Sequence, residues 1–243
     1  MSPVKASHTA RERARAELTR EITQEARRQL AETGAPGLSL RAVARELGMV
    51  SSALYRYFPS RDDLLTALII DAYNALGEAA ETAAAAVPGA SPRVRWLAAC
   101  HAIRDWALAH PHEYALIYGS PVPGYRAPQA TIGPASRVPL AFARVLADAA
   151  ACGALPVTRE VTRERAPLGG DVAAQAEALA AALAAAGASA VPPDMLVRAV
   201  IAWTQLFGMI SFELFGQFVG SFEPAGAVFG YAVAQLAAFV GLE

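Results

Sequence analysis

The chain has 243 residues, of which 54% are hydrophobic and 18% are charged, with a formal net charge of −1. This composition excludes an intrinsically disordered chain, because such chains are rich in charge and poor in apolar residues. Residues 1–65 hold 11 Lys and Arg against 8 Asp and Glu, whereas residues 66–243 hold 10 against 14. A basic amino-terminal part on an acidic remainder favours a nucleic-acid-binding head attached to a body without that role.

The cysteine content and the apolar segments predict where the protein works. Cys100 and Cys152 are the two cysteines of the chain, too few for a disulfide scaffold, so we expect reduced thiols and a cytoplasmic location. The first fifteen residues contain charges and no apolar run, which argues against a secretory signal. The apolar segment 199–212 has 14 residues, fewer than the roughly 20 that cross a bilayer, so we expect no membrane partner.

Helical spacing of apolar residues and abundant alanine predict an all-α fold. Thr9 followed by Glu12 fits a capping box, so a first helix is expected over about 9–33, preceded by a disordered arm over 1–8. Its inner stripe comprises Leu18, Ile22, Ala26 and Leu30. Gly34 to Gly37, with Pro36 between them, should end this helix.

Residues 39–58 predict two short helices joined by a tight turn. Ser39 can cap the first helix, and Gly48 lies where the chain must turn, since glycine tolerates a positive φ. The second helix is expected to start at Met49 or Val50, with Leu54 and Phe58 in the core. This arrangement is typical of a helix-turn-helix, whose second helix enters the DNA major groove.

The remaining elements are predicted from caps and from Pro and Gly clusters. Ser60 should cap a helix from Arg61 to about Ala86, followed by a linker over 87–92. Residues 119–133, rich in Gly and Pro, predict a lid or loop, and residues 153–170 a non-helical, mobile segment. Further helices are expected at 93–110, 111–118, 134–152, 171–186, 193–218 and 225–241.

The head resembles the tetracycline-repressor-like (TetR) family of bacterial transcription regulators. The resemblance is strongest from Ile22 to Leu65 and rests on three motifs, which are Ser39-Leu-Arg-Ala-Val-Ala44 before Gly48, Ala53-Leu-Tyr-Arg-Tyr-Phe58, and Ser60-Arg-Asp-Asp-Leu-Leu65. The segment before Ile22 is longer than in many members, which predicts an extended first helix. Val50 stands where many members have Ser or Thr as the cap of the recognition helix, and Ser51 is the alternative cap.

The resemblance implies an all-α homodimer with a three-helix DNA-binding head over residues 1–65 and a larger helical body over 66–243. The body would hold an apolar ligand cavity, and the last two helices, over about 193–241, would form the dimer interface. The stretch from Trp203 to Gly208 is similar to a Trp-x-x-x-x-Gly pattern in a sub-group of the family. The implied function is a ligand-responsive regulator, a repressor that binds an inverted-repeat operator as a dimer.

Candidate DNA-binding residues follow from the helix-turn-helix. Hydroxyl groups can meet phosphate oxygens and base edges, and guanidinium groups in the first turn of a helix favour an anion. Basic residues of the arm, Lys5, Arg11, Arg13 and Arg15, are candidates for a phosphate or minor-groove contact, although interleaved glutamates also suit a solvated face. The predicted base-reading residues are Ser51, Ser52 and Tyr55, and the predicted phosphate contacts are Ser39, Arg41, Arg56, Tyr57 and Arg61.

Candidate ligand-binding residues are the larger aromatic and soft side chains of the body, because ligand pockets are mostly apolar with a few polar groups. Trp203 and Phe207 are four residues apart and share a helix face, which makes them the best pair. Plain core packing is the alternative for each of these residues. The full set is Trp96, His101, Trp106, Tyr114, Tyr118, Trp203, Phe207 and Met209.

The sequence predicts no metal, cofactor or catalytic residue. His110, His112 and Glu113 are close together, but a proline separates the histidines and a fourth ligand is missing. No phosphate-binding Gly-rich loop or nucleophile elbow is present. Three alternatives remain open: a redox sensor that uses Cys100 and Cys152, an enzyme body on a DNA-binding head, and a DNA binder without sequence preference.

Overall fold

The computed structural model describes residues 3–86, 89–153, 168–185, 187 and 191–242, with residues 3–9 described as backbone only. The elements in chain order are α1 (Pro3–Gly37), α2 (Leu40–Glu46), α3 (Ser51–Leu54), α4 (Arg61–Ala85), α5 (Pro92–Ala109), α6 (Pro111–Tyr118), a 3₁₀ turn (Gln129–Thr131), α7 (Ile132–Ala151), α8 (Gly170–Ala185), α9 (Pro193–Leu214) and α10 (Gly226–Phe239). The described residues contain helices and no strands, so the predicted all-α class is confirmed.

The chain divides into two compact units, which we call the head unit and the body unit. The head unit comprises Met1–Tyr73 and His110–Pro134, and the body unit comprises Asn74–Ala109 and Ala135–Glu243. The first division falls inside α4, and α6 with the loop after it belongs to the head unit. The boundary predicted between residues 65 and 66 stays a prediction about domains.

The head unit is built around the apolar stripe of α1. Ile22 and Ala26 are fully buried, and they pack in one cluster with Val43 of α2, Leu54 of α3 and Leu65 of α4. The stripe arises because apolar side chains three or four residues apart share a helix face. Leu54 and Phe58 are buried as predicted.

The beginning and end of α1 differ in how well the sequence predicts them. The helix already starts at Pro3, so the predicted capping box at Thr9 and the disordered arm are wrong over residues 3–8, and residues 1 and 2 lie outside the described part of the chain. The extended first helix is confirmed. Gly34 has φ 68° and interrupts the helical backbone, and a short helical stretch follows it as far as Gly37. Glycine serves here because it adopts positive φ without the penalty that a Cβ would add.

The body unit packs its last helices on one another and on α5. Contacts join α9 to α8, α10 and α5, and α10 to α5. By length and hydropathy α9 could cross a membrane. However, it buries Leu206 and Ile210 within the body, and its Glu213 binds Arg104 of α5 at 2.6 and 2.8 Å. These contacts are those of a core helix.

The other predicted boundaries differ from the structure by a few residues. α9 ends at Leu214 instead of 218, α10 spans Gly226–Phe239 instead of 225–241, and α7 begins at Ile132. The loop predicted over 119–133 is therefore shorter and contains the 3₁₀ turn. Of the segment predicted to be non-helical and mobile, residues 154–167 lie outside the described residues.

Candidate functional site

The turn between α2 and α3 has the geometry that the helix-turn-helix prediction requires. Gly48 has φ 64°, its N–H donates to the carbonyl of Arg45 at 3.1 Å, and the N–H of Met49 donates to the carbonyl of Ala44 at 2.8 Å. This pair of hydrogen bonds is a Schellman motif, which ends a helix on a left-handed residue. The prediction for Gly48 is confirmed.

Serine side chains cap the first turns of α2 and α4, the helices on either side of α3, as predicted. Ser39 Oγ accepts a hydrogen bond from the N–H of Ala42 at 3.5 Å. Ser60 Oγ accepts one from the N–H of Asp63 at 3.1 Å and donates to the carboxylate of Asp63 at 2.7 Å. Both caps satisfy backbone N–H groups that the first helical turn leaves without an intrahelical partner.

The recognition helix α3 is shorter than predicted. It begins at Ser51, with Val50 in the capping position and no side-chain cap, so the predicted start at Met49 or Val50 and the alternative cap by Ser51 are wrong. After Leu54 the chain continues in a turn, in which the N–H of Tyr57 donates to the carbonyl of Leu54 at 2.8 Å. Ser52, Tyr55 and Arg56 are exposed, and Ser51 and Tyr57 are half-buried.

An open groove of about 520 Å³ on the head unit brings several predicted DNA-binding residues together. Ser39 and Arg41 line it from α2, Tyr55 from the end of the recognition segment, and Arg61 from the start of α4. These side chains combine hydroxyl groups with guanidinium groups, the donors that proteins use against phosphate oxygens. Ser51, Ser52, Arg56 and Tyr57 do not line this groove but lie on or just after α3.

Two arginines of the groove differ in what their side chains bind. Arg61 donates from Nη2 to the carbonyl of Ala35 at 2.5 Å and from Nε to the carbonyl of Leu38 at 3.1 Å. It therefore ties the end of α1 to the start of α4. Arg41 is exposed and forms no hydrogen bond or ion pair with the residues that the structure describes. Its charge is available to an incoming anion.

The predicted ligand-binding residues do not converge on one place. Tyr114 and Tyr118 belong to the head unit, where their ring centroids are 5.3 Å apart and Tyr118 meets Tyr73 at 6.0 Å. The pKa of the Tyr118 phenol is raised, mainly by burial, so this hydroxyl stays protonated. These tyrosines form an aromatic cluster within the head unit, apart from the other candidates.

The remaining candidates lie in the body unit but in different surroundings. Trp96 is buried, with its ring centroid 4.4 Å from that of Phe142, and His101 is exposed with its ring 5.5 Å from Phe229. Phe207 is buried and lies 5.7 Å from Trp203, as their predicted pairing on one helix face requires. Trp106 and Met209 are half-buried.

The body unit contains an apolar cavity of about 150 Å³ between α7, α8 and α9. Of the predicted ligand-binding residues, only Trp203 lines it. The other lining residues were missed by the sequence analysis, although Leu179 and Leu183, four apart in an alanine-rich helix, were a usable signal. They are Pro139, Phe142 and Ala143 of α7, Leu179 and Leu183 of α8, and Leu196, Ala199 and Val200 of α9.

The two cysteines have contrasting environments. Cys100 is fully buried, and burial raises the pKa of its thiol, so it stays protonated and out of reach of solvent oxidants. Cys152 is exposed, and its thiol lies 2.6 Å from the carbonyl of Asp148. Both thiols are free, and the burial of one partner argues against a redox-sensing pair. Among the described residues, no group of three or more His, Cys, Asp or Glu side chains could hold a metal ion.

Comparisons with known proteins match both parts of the chain. The family model for bacterial regulatory proteins of the tetR family matches residues 22–68, and the model for the tetracyclin repressor-like C-terminal domain matches residues 96–236. The HTH-type transcriptional regulators Rv1816 of Mycobacterium tuberculosis (strain ATCC 25618 / H37Rv) and Mb1846 of Mycobacterium bovis (strain ATCC BAA-935 / AF2122/97) are each 40% identical over 206 residues, 84% of this chain and 84% of theirs.

Solved structures of similar proteins have the same fold as this chain. The crystal structure of the regulatory protein SCO4313 superposes with a TM-score of 0.72 at 35% identity and covers 93% of this chain and 98% of that one. A protein with unknown function from Rhodococcus sp. RHA1 shares the fold, with a TM-score of 0.63 at 24% identity over 92% of this chain and 93% of its own.

Proposed function

Because the chain belongs to the TetR family of bacterial transcription regulators, we propose that this DNA-binding regulator is a ligand-responsive repressor that binds an inverted-repeat operator as a dimer. Its relatives are transcriptional regulators, so the chain is a regulator and not an enzyme. The observation that carries the proposal is the exposed recognition segment beside a groove lined with hydroxyl and guanidinium groups.

In this proposal the residues of the head divide into base readers and phosphate contacts. Ser51, Ser52 and Tyr55 would face base edges, since they lie on the short helix or in the turn that follows it. The polar residues at the groove and behind the recognition helix would fix the register on the duplex by binding phosphates. These are Ser39, Arg41, Arg56 and Tyr57. Arg61 was also predicted as a phosphate contact, but because it donates to the carbonyls of Ala35 and Leu38 we propose for it a structural role at the groove instead.

The apolar cavity supports the proposed ligand response. Among the residues that the structure describes, its lining offers hydrocarbon and the indole of Trp203 and no charged side chain, so the fitting ligand is small, uncharged and apolar. A ligand releases DNA only if it binds more tightly to the conformation that cannot bind the operator. The proposed ligand would therefore act by stabilising a non-binding conformation of the dimer.

Exposed apolar side chains of α9, α10 and the segment between them support a dimer interface there. Tyr231 is 68% exposed and Val219 71% exposed, which is unusual for large apolar side chains that have no partner surface. A twofold dimer would present two recognition helices, and an inverted repeat matches that symmetry. The other members of this exposed set are Val200, Ile201, Phe212, Phe215, Phe222 and Phe239.

Selection of duplexes from a random library by the purified full-length chain tests the proposal. We expect enrichment of an inverted repeat whose half-sites are centred about 34–36 Å apart, or a multiple of that spacing. Sedimentation should give one or more dimers on each enriched duplex, and a reporter promoter that overlaps the repeat should be repressed.

Three outcomes would contradict the proposal in different ways. No enrichment over random sequence would indicate a DNA binder without sequence preference. A single half-site bound by a monomer would reject the dimer. A substitution of Tyr231 by Glu, which places a charge in the proposed interface, should yield monomers; an unchanged dimer would move the interface away from α10.

A further inference from the structure

The recognition helix is too short to hold its own position. α3 comprises four residues, and the segment that follows it, through Tyr57, is a turn. A helix of one turn fixes several backbone angles for very few hydrogen bonds, so it is unstable alone. Its orientation must therefore come from contacts with other parts of the head unit.

One such contact comes from α1, 41 residues earlier in the chain. The guanidinium carbon of Arg15 lies 5.0 Å from the centroid of the Tyr57 ring, within the range of a cation–π interaction. Arg15 Nη2 also donates a hydrogen bond to the carbonyl of Arg56 at 3.3 Å. A single side chain thus contacts both an aromatic ring and the backbone at the end of the recognition segment.

Both contacts lie in the turn just after α3, which ends at Leu54. A hydrogen bond from a charged donor is stronger than one between neutral groups, so the bond to the carbonyl of Arg56 can hold this turn. Leu18, less than one helical turn after Arg15, packs against the core cluster of the head unit and fixes this part of α1. Tyr57 packs against the same cluster, so the ring that receives the cation is itself held in place.

We propose that Arg15 is a positioning residue for DNA recognition, which rests on the proposed function above. It acts through Tyr57 and the carbonyl of Arg56, and it does not itself contact a phosphate. The amino-terminal extension of α1 therefore contributes to the shape of the recognition surface, and its contribution at Arg15 is not simply added positive charge.

A double-mutant cycle on the full-length chain tests this, with the selected inverted repeat as the probe. Arg15→Gln removes the cation, and Tyr57→Leu keeps an apolar side chain but removes the ring face. Exposed cation–π contacts correspond to about a two- to fivefold change in affinity, so each single variant should bind that much more weakly or worse. The double variant should lose less affinity than the sum of the two single losses, because the Arg15–Tyr57 contact can be lost only once.

The salt dependence of binding separates positioning from a phosphate contact. Each phosphate neutralised by a basic residue adds about 0.9 to the slope of log affinity against log salt. Arg15→Gln should leave this slope unchanged. Arg11→Gln is the matched control, since it removes the same charge one helical turn earlier; combined with Tyr57→Leu, its effect should be additive.

The outcomes distinguish this inference from the proposed function. If the unaltered chain selects no sequence, the proposed function fails before any variant is made. If it does, an additive Arg15 and Tyr57 pair, an unchanged affinity for Arg15→Gln, or a slope lowered by about 0.9 would each overturn the positioning role alone. Circular dichroism verifies that the variants remain helical, and Arg15→Met enters the same cycle if Arg15→Gln unfolds.

Discussion

The groove of the head unit and the cavity of the body unit are lined by opposite chemistry. The groove offers the hydroxyls of Ser39 and Tyr55 and the guanidinium groups of Arg41 and Arg61, whereas the cavity is lined by hydrocarbon and one indole. A hydrated polyanion can exchange water for the donors of the groove. An uncharged molecule gains by leaving water for the cavity. The contrast teaches that the two units suit two chemically different kinds of binding partner.

The two sites also differ in how the chain builds them. Every residue of the groove lies between Leu38 and Arg61, so local caps and turns place most of it. The cavity draws on α7, α8 and α9, whose lining residues extend from Pro139 to Trp203. The groove depends on local backbone geometry, whereas the cavity depends on how distant helices pack.

The largest effect is expected from the core that supports the groove. Leu54 is fully buried in the head cluster, and Leu-to-Ala changes at such sites cost about 2–5 kcal/mol of stability. Leu54→Ala should lower the thermal unfolding temperature and abolish binding to the selected duplex. Leu108→Ala, at a position 39% exposed in α5, is the control and should change stability by less than about 0.5 kcal/mol. Similar melting curves for the two variants would contradict this assignment of the core.

The next largest effect concerns base reading by the groove. Tyr55 is 41% exposed, so its removal should leave the fold intact. Tyr55→Ala should weaken binding to the selected duplex by about 1–3 kcal/mol and leave binding to random duplexes almost unchanged. Fluorescence anisotropy on both duplexes measures this difference. Equal losses on both would assign Tyr55 to the phosphate backbone.

A comparison of Arg61 with Arg41 separates structural from electrostatic contributions in the groove. Because Arg61 donates to two backbone carbonyls, Arg61→Gln should destabilise the head by about 1–2 kcal/mol without changing the salt slope of DNA binding. Arg41→Gln should leave stability unaltered and lower that slope by about 0.9. Titrations at several salt concentrations, paired with thermal melts, reveal whether the two roles are reversed.

Filling the cavity with a larger side chain should lower the affinity of the body unit for apolar molecules. Ala143 lines the cavity, so Ala143→Leu should lower the affinity for benzene, which a dry cavity of about 150 Å³ can hold, by about tenfold, or 1.4 kcal/mol, as measured by isothermal titration calorimetry. Ala151→Leu places the same side chain at an exposed position of α7 and is the control. Unchanged benzene binding in Ala143→Leu would show that apolar molecules bind elsewhere.

The smallest effect is the pH-dependent contribution of one ion pair in the body unit to the free energy of unfolding. Arg137 donates to both carboxylate oxygens of Glu81, at 3.1 and 2.6 Å, and this lowers the pKa of Glu81. A carboxylate whose pKa is lower in the folded state stabilises the fold above its unfolded pKa of about 4.3 and loses that contribution as pH falls through the folded value. Glu81→Gln should therefore cost about 0.5–1 kcal/mol at pH 7 and progressively less at acidic pH.

Urea unfolding of the unaltered chain and of Glu81→Gln between pH 3 and pH 7 measures this contribution to the free energy of unfolding. Glu177→Gln, at an exposed position of α8, serves as the control and should match the unaltered chain throughout. A penalty for Glu81→Gln that is independent of pH would assign the loss to packing instead of charge.

The sequence predicts local features of the fold well. The capping roles of Ser39 and Ser60 and the turn at Gly48 depend on residues only a few positions away, and all three are confirmed. The start of α1 is the exception. The signal at Thr9 is a local capping pattern, yet the helix begins six residues earlier, at Pro3. A capping pattern marks a possible helix start but does not exclude a start further upstream.

Features that join distant segments were not predicted from the sequence. The hydrogen bonds of Arg61 to Ala35 and Leu38 and the contact of Arg15 with Tyr57 each span more than twenty residues. The cavity is a stronger case, because its shape depends on the packing of three helices and no residue type marks it. Bulky aromatic side chains were the expected lining, but small and aliphatic residues such as Ala199 leave the space.

The uncharged lining of the cavity has a consequence for weak acids as effectors. A carboxylic acid would enter in its neutral form, because none of the described residues that line the cavity carries a cation to compensate a carboxylate. Its apparent affinity would fall about tenfold for each pH unit above its own pKa. Occupancy of such a cavity by a weak acid would therefore depend on pH as well as on the concentration of the molecule.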